Sequence, residues 1–367
     1  MTDSAAGRLA VVAAGGTGGH LFPAQALAQA LVARGWRVVL ASDERVQTLA
    51  AGFPAERHIA LSAATFRPGD PIGMTRAGIA IQRGVLQARA ELKALTPAIV
   101  VGFGGYPSLP TLIAAILQRR RTLIHEQNAV MGRANRLLAP RVTAIGCAFP
   151  TLQKAPASVR ARAVVVGNPV RPEIQALYAE PYEPPTEVFR LLVTGGSQGA
   201  RLLSELVPKA VAALPAELRS RLKVQQQTRT ESLEGARVTY AEAGVDAEIA
   251  TFFGGMAERL AAAHLVIGRA GASTVCEIAV AGRPAILIPL RIALDDDQGQ
   301  NARLLSEAGA AAVMREDMLT VDRLATLLQS LMEDPAGLAT MAAAASAVAR
   351  PDAADRLADL VEQTAAP

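Results

Sequence analysis

Two stretches of the chain bring glycine, hydroxyl and imidazole groups together at spacings that suit an anionic ligand. Gly15-Gly16-Thr17-Gly18-Gly19-His20 precedes an apolar run with helical periodicity. Glycines let the main chain pass close to a ligand, and the free N–H groups of a helix N-terminus favour negative charge. His20 closes the run. A helix N-terminus disfavours the cationic imidazole, so His20 is a candidate neutral proton acceptor; its bland alternative is a polar first-turn residue without chemistry. Gly104-Gly105-Tyr106-Pro107-Ser108 and His125-Glu126-Gln127-Asn128 follow two later apolar runs. The dinucleotide fingerprint G-x-G-x-x-G fails, because from Gly16 its last position falls on Leu21. Asp43, placed after the second strand where a ribose-binding acid could stand, keeps an NAD site open as an alternative. No Lys-Ser/Thr pair follows the glycines, which excludes a P-loop.

The second half repeats this chemistry. Gly195-Gly196-Ser197-Gln198-Gly199 is another anion-binding turn. In Arg269-Ala270-Gly271-Ala272-Ser273-Thr274-Val275-Cys276-Glu277, small residues open a helix whose N–H groups can hold a diphosphate. Glu277, one turn in, can accept hydrogen bonds from ribose hydroxyls or simply offset the dipole. Asp295-Asp296-Asp297-Gln298-Gly299-Gln300-Asn301 enters a further helix. Adjacent aspartates point in different directions, so this loop reads as a solvated cap rather than a Mg²⁺ cage. Four scattered histidines and two distant cysteines, Cys147 and Cys276, offer no metal spacing; no metal or other cofactor is expected, and both thiols read as buried and free.

The elements that must position these loops alternate. Leu9–Ala14, Arg37–Ala41, Ile99–Gly102, Thr122–His125 and Ala144–Gly146 read as parallel strands, with helices at Phe22–Arg34 and Leu109–Gln118 between them. After the proline-rich stretch 150–185 the pattern restarts, with strands at Phe189–Thr194, Val224–Gln227, Ala247–Phe252, Leu265–Gly268, Ala285–Pro289 and Ala312–Arg315 and a helix from Arg201. LAVVAAGGTGGH and FRLLVTGGSQGA are one unit written twice: strand, glycine turn, helix. That repeat predicts an α/β protein of two doubly wound domains, 1–168 and 169–340, rather than one large sheet. The Ala-rich stretch 341–367 is expected to be a C-terminal helix packing back on the N-terminal domain. In such sheets, loops at the carboxyl ends of the strands converge on one ligand crevice.

Composition agrees. The chain has 367 residues, 51% hydrophobic and 19% charged, which favours two folded domains over disorder. The charge is lopsided: residues 1–168 carry a net +12 and residues 169–367 a net −8. A basic half predicts an anionic partner. Nucleic acid is not expected, because aromatics are only 4% and no nucleic-acid-binding signature occurs. With no signal peptide and no apolar run of spanning length, a cytoplasmic protein able to lie on a membrane is expected.

GGTGGH, GGYPS, HEQNAVMGRANRLLA, VVGNPVR, GGSQGA, GRAGASTVCEIAVAGRP and DQGQNA stand in the order and spacing of one family. From about residue 9 to residue 345 the chain resembles the MurG glycosyltransferases, which transfer N-acetylglucosamine from UDP-N-acetylglucosamine to lipid I in peptidoglycan synthesis. The resemblance implies the GT-B fold, two Rossmann-like domains facing across a cleft, with the donor mainly on the C-terminal domain. It implies that Ser197, Gln198 and their glycine turn hold the diphosphate, that the Phe253 backbone meets uracil, that Ala272, Ser273 and Thr274 face the diphosphate and Glu277 the ribose, and that Gln298 and Asn301 read sugar hydroxyls. Thr17, Gly18, Gly19, Asn128 and Arg171 match donor contacts of the N-terminal domain; His20, Tyr106, Ser108 and Glu126 match its cleft. The chain departs from the pattern at Asp297, where relatives often carry histidine.

The implied reaction is an inversion: the acceptor's 4-hydroxyl attacks C1 of the sugar as UDP leaves, turning lipid I into lipid II. His20 is the first candidate base and Glu126 the second. The implied acceptor rides on undecaprenyl diphosphate, so the enzyme must reach the cytoplasmic face of the inner membrane as a peripheral protein, where other cell-wall synthesis proteins are possible partners. Ile72, Met74, Ile79, Ile81, Val85 and Leu86 interleave with Arg76, Arg83 and Arg89, and Leu112, Ile113, Ile116 and Leu117 precede Arg119-Arg120-Arg121. This mixture suits an anionic membrane surface, or equally a pair of amphipathic core helices. Alternatives on the same fold are a diacylglycerol glycosyltransferase or a UDP-sugar epimerase; a non-catalytic nucleotide-sugar sensor is the alternative from another class.

Overall fold

The computed structural model describes residues 7–15, 17–43, 52–62, 71–196, 199–290 and 295–366, without the side chains of 71, 72, 74 and 75. Ser197, Gln198 and the side chains of Ile72 and Met74 therefore lie outside the described residues. The chain divides into two compact units, Met1–Arg171 with Asp352–Pro367, and Pro172–Pro351.

The first unit is built on seven parallel strands: β1 (Leu9–Ala13), β2 (Arg37–Ser42), β3 (Arg57–Ala60), β4 (Ile99–Gly102), β5 (Thr122–Glu126), β6 (Ala144–Cys147) and β7 (Ala163–Val165). Their order is β3-β2-β1-β4-β5-β6-β7. All five residues of β1 are buried, as are all four of β4, because helices cover both faces of the sheet. Continuous Val/Ile/Ala runs are what such strands require. On one face the Gly18–Ala33 helix packs Leu21, Leu27 and Leu31 against Val12, Val38 and Leu40; on the other, Leu92 and Leu112 meet Val11, Val39 and Val100.

The second unit has six parallel strands, β8 (Phe189–Thr194), β9 (Leu222–Gln227), β10 (Asp246–Ala250), β11 (Leu265–Gly268), β12 (Ala285–Leu287) and β13 (Ala311–Val313), in the order β10-β9-β8-β11-β12-β13. Both sheets reverse strand order beside their first strand, between β1 and β4 and between β8 and β11. Two separate sheets replace the single-sheet alternative. β3 and β7 were not expected from the sequence; both are edge strands with exposed positions, β3 carrying Arg57 and His58 and β7 only three residues long.

The C-terminal stretch departs from expectation. It is two helices, Pro335–Val348 and Ala353–Ala365, interrupted near Pro351, which cannot continue a helix. Residues 341–348 stay in the second unit, where Leu338, Ala342 and Ala345 are buried. Only the last helix joins the first unit. It buries Leu357, Leu360 and Val361 in the core beneath the Gly18–Ala33 helix. Arg34 reaches Asp355, Asp359 and Glu362 at 3.2, 2.6 and 3.2 Å, and Trp36 Nε1 donates to Glu362 at 3.1 Å.

Candidate active site

In the first unit the loops after β1, β4 and β5 meet at one end of the sheet. The chain enters its first helix at Gly18, four residues earlier than periodicity predicts, and His20, expected at the helix start, is its third residue. Its imidazole packs against glycines from two loops. A Cβ on Gly15 would stand 3.1 Å from the ring's Cδ2, and one on Gly105 would stand 3.4 Å from the same atom. Glycine at these positions lets the ring lie flat against the main chain. Gly104 and Gly105 also adopt φ of +76° and +73°, which other residues rarely tolerate.

His20 is half-buried. Its Nδ1 lies 3.3 Å from Gln127 Oε1. Burial lowers its pKa from the ordinary value, and the Glu126 charge, the Gln127 oxygen and the Phe103 carbonyl only partly restore it. Burial thus favours the neutral imidazole.

Glu126 ends β5 and is buried, and its carboxylate is fully engaged. Oε1 accepts from the Asn128 backbone N–H at 3.0 Å and from Asn128 Nδ2 at 3.4 Å; Oε2 accepts from the Gly132 N–H and from Asn135 Nδ2, both at 2.9 Å. Four N–H donors leave this carboxylate no vacant lone pair for a substrate proton. Its place is that of an anchor for the 126–132 loop and a nearby negative charge for His20. Ser108 is likewise turned inward, its hydroxyl donating to the Gly105 carbonyl at 2.9 Å, so it shapes the turn instead of facing a ligand. Tyr106 and Asn128 remain half-buried at the rim, Thr17 and Gly19 are exposed, and Gly18 is buried against the Phe22 ring. Arg171 lies over that same ring, 5.1 Å from its centre, bringing a guanidinium toward the N-terminal turn of the first helix.

In the second unit, the loops after β8 and β11 flank the switch point. Gly195 has no room for a side chain: a Cβ would overlap the Gly199 and Ala200 main chain. Gln227 at the end of β9 holds this turn, its Oε1 accepting from the Gly195 N–H at 3.3 Å and from Thr194 Oγ1 at 3.2 Å. The 10-residue Ala272–Ala281 helix starts from Gly271, with Ala272, Ser273 and Thr274 in its first turn and no acid there to occupy the free N–H groups. Ser273 Oγ is buried with no protein partner. Glu277 is half-buried on the next turn.

Asn301 differs from the expectation that it reads a sugar. It is wholly buried and donates from Nδ2 to the Ala270 carbonyl at 3.2 Å, so it braces the glycine-rich loop from behind. Gln298 is half-buried and accepts from the Leu290 N–H at 3.0 Å, and Asp297 is the first residue of its helix, where an acid suits the dipole. Phe253 is buried under Arg259, 4.0 Å above its ring, whereas Phe252 beside it is 78% exposed. The sequence reading quoted Arg269 in its motif but gave it no role; it is buried, pairs with Glu316 at 2.6 Å and donates to the Ile288 carbonyl at 3.1 Å. Asn135 and Gln227 were likewise given no role. Their only signal was an amide where an apolar residue would pack, which does not say what the amide bonds to.

On the Pro71–Leu95 helix, Ile79 and Leu86 are exposed beside the exposed Arg76, Arg83 and Arg89. Arg76, Ile79 and Arg83 line a shallow cavity of about 280 Å³. Not all of the expected apolar residues face out: Leu112 is fully buried and Ile113 and Ile116 lean on the core, leaving Leu117 exposed on that helix, with Arg119 and Arg121 following. Among the described residues no helix is long and apolar enough to cross a membrane.

Comparison with known proteins adds a family to this geometry. The glycosyltransferase family 28 N-terminal domain matches residues 10–147, and the C-terminal domain of that family matches residues 190–357. Over 360 residues the chain is 68% identical to a UDP-N-acetylglucosamine–N-acetylmuramyl-(pentapeptide) pyrophosphoryl-undecaprenol N-acetylglucosamine transferase of Phenylobacterium zucineum, covering 98% of this chain and 99% of that one. It is 62% identical to the protein of the same name from Caulobacter vibrioides, again over 98% and 99%. Among solved structures, Acinetobacter baumannii MurG superposes with a TM-score of 0.78 at 31% identity, over 97% of this chain and 99% of that one.

Proposed function

The chain belongs to glycosyltransferase family 28, and from that premise we propose a division of labour among its residues. It has the GT-B fold and is a UDP-N-acetylglucosamine-dependent transferase that moves N-acetylglucosamine to N-acetylmuramyl-pentapeptide on undecaprenyl diphosphate.

The donor's diphosphate lies against the first turn of the Ala272–Ala281 helix and the Gly195–Gly199 turn. The helix turn supplies free N–H groups to a charge that grows as UDP departs, whereas the Gly195, Gly196 and Gly199 N–H groups bond Gln227, Thr194 and the Gly196 carbonyl. Ser273 Oγ, buried and unpartnered, is available to the same anion. Glu277 accepts from the ribose, and the Phe253 main chain meets the uracil. The acceptor's 4-hydroxyl attacks C1 in line; its proton passes to His20, and the C1–O bond electrons leave with UDP, inverting the anomeric centre. Thr17, Gly18, Gly19, Asn128 and Arg171 are the first unit's own candidates for donor contact. Glu126 takes no proton in this scheme; its buried charge favours the imidazolium that forms on His20.

The observation that carries the assignment is the His20 imidazole, held neutral and clamped between two glycine loops at the switch point of its sheet. General-base assistance of this type contributes roughly 10²–10⁴-fold.

For the acceptor, the reading puts the first unit on the anionic cytoplasmic face of the inner membrane; the exposed Ile79, Leu86 and Leu117 beside their arginines support it. The test of the whole reading is transfer of label from radiolabelled UDP-N-acetylglucosamine to a short-chain lipid I analogue. Transfer that requires both substrates supports it. Donor breakdown without acceptor, or donor binding without turnover, would overturn it.

A further inference from the structure

We propose that Gln127 selects the tautomer of His20, keeping the ring proton on Nδ1 so that Nε2 holds the lone pair that receives the acceptor's proton. The inference rests on the reading of His20 as the base. It starts from the orientation of a buried amide. Gln127 is 2% exposed, and its Nε2 donates to the Phe103 carbonyl at 2.8 Å. A carbonyl oxygen can only accept, so the amide nitrogen must face Phe103, and Oε1 is left facing His20. Turning the amide over would set oxygen against oxygen in a buried place.

Oε1 stands 3.3 Å from His20 Nδ1, and the Phe103 carbonyl also lies within hydrogen-bonding reach of the ring. Both neighbours are acceptors. A neutral imidazole carries one N–H, and here only Nδ1–H satisfies the oxygen it faces; the opposite tautomer would bring a lone pair against Oε1. Glycines line the ring: a Cβ on Gly15 or Gly105 would stand 3.1 or 3.4 Å from Cδ2, and one on Gly104 3.6 Å from Cε1. Nε2 is the remaining nitrogen, and among the described residues no side chain hydrogen-bonds to it. When the acceptor's O–H proton arrives there, both nitrogens carry hydrogen, Nδ1–H still donates to Oε1, and no group needs to reorganise. Gln127 touches no substrate; it is a positioning residue acting through His20.

The test begins with the wild-type protein labelled with ¹⁵N-histidine. Nitrogen resonances of His20 are assigned by their loss in His20→Gln. The expected result is a protonated, pyrrole-type Nδ1 and a pyridine-type Nε2. Finding the proton on Nε2 overturns the proposal and needs no variant. Gln127→Met, which keeps the shape and removes the acceptor, should move the proton toward Nε2 and lower kcat about 10- to 100-fold with KM for UDP-N-acetylglucosamine unchanged. Unchanged tautomer and unchanged kcat in that variant would overturn it as well. Gln127→Glu, which restores an acceptor and adds charge, should recover the Nδ1–H form and move the acid limb of the kcat profile to higher pH; an unmoved limb speaks against the contact. The underlying reading is checked separately. If His20→Gln turns over normally, His20 is not the base, whatever its tautomer, and Gln127 has no catalytic part.

Discussion

Asn135 donates from Nδ2 to Glu126 Oε2 at 2.9 Å, and the same nitrogen lies 3.3 Å from the His125 carbonyl. One amide thus ties the short Arg133–Leu138 helix to the end of β5. Replacing it removes a donor from a buried carboxylate. Asn135→Ala is expected to destabilise the fold by about 1–3 kcal/mol, read by urea unfolding, and to lower kcat by loosening the 126–132 loop. Asn135→Asp, which sets a second carboxylate against Glu126, should be worse than alanine. An alanine variant of native stability would mean that the remaining three donors suffice.

His20→Ala should lower kcat by roughly 10²–10⁴-fold while UDP-N-acetylglucosamine binding, followed by calorimetry, stays close to wild type. The sign of the pH dependence follows from the depressed pKa of this imidazole. A lowered pKa keeps the base form present to lower pH, so the wild-type rate should hold through pH 6.5 and fall only below it. An acid limb centred at or above 6.5 would point to a different base.

Two other histidines make stability pH-dependent. Burial pushes His125 down to about 4; its Nε2 bonds the Gly167 carbonyl. His264, whose Nδ1 accepts from the Arg190 N–H, is pushed down to about 4 by burial, then by Arg190 and Arg283. In both, the unfolded chain binds the proton more readily than the folded one. Stability should therefore be full above the ordinary histidine pKa and decline as pH falls from about 6.5 toward 4, by up to about 1.4 kcal/mol per pH unit for each group. Urea titrations across that range test this, and His264→Asn should flatten part of the slope.

Glu277 tests the donor side. If its carboxylate accepts from the ribose, Glu277→Ala should forfeit a charge-assisted hydrogen bond of about 1.5–3 kcal/mol. Kd for UDP-N-acetylglucosamine would then rise by about tenfold or more. An unchanged Kd would reduce Glu277 to a helix residue without a ligand.

Membrane affinity should depend on Arg119 and Arg121, both exposed after Leu117. Each basic residue near an anionic surface is worth about 1 kcal/mol. The double variant Arg119→Ser, Arg121→Ser is expected to bind phosphatidylglycerol vesicles more than about tenfold less tightly and to use a water-soluble acceptor analogue as well as before. Equal binding to anionic and neutral vesicles would remove the arginines from the account.

Much of this was legible in the residues. The apolar runs at β1, β4 and β11, and Leu191–Val193 within β8, announced buried strands, and each strand ran into a glycine turn, so the switch-point loops could be placed from the sequence. Those are local properties, written in a few consecutive side chains. The edge strands β3 and β7 were not legible: β3 is half-exposed with charged and polar residues, and the short apolar run of β7 lies inside the proline-rich stretch 150–185. Nor was the end of the first unit, where Arg34 and Trp36 gather three acids from a helix more than 300 residues away.

The candidate site divides along the same line. Sequence alone determined which residue types stand at which strand end: a histidine after the first glycines, a glutamate and glutamine at the end of β5, small residues opening the helix after β11. Only the tertiary structure decided what each one does with its polar atoms. Glu126, Ser108 and Asn301 were all candidates to meet substrate, and all three spend their hydrogen bonds on the protein's own main chain or side chains. Gln127 was one letter in a motif until the Phe103 carbonyl fixed which way its amide faces. The reason is physical. A strand or a turn is set by neighbours in sequence, whereas a buried polar group is satisfied by whichever donor or acceptor the fold brings within about 3 Å, and that partner can lie anywhere in the chain.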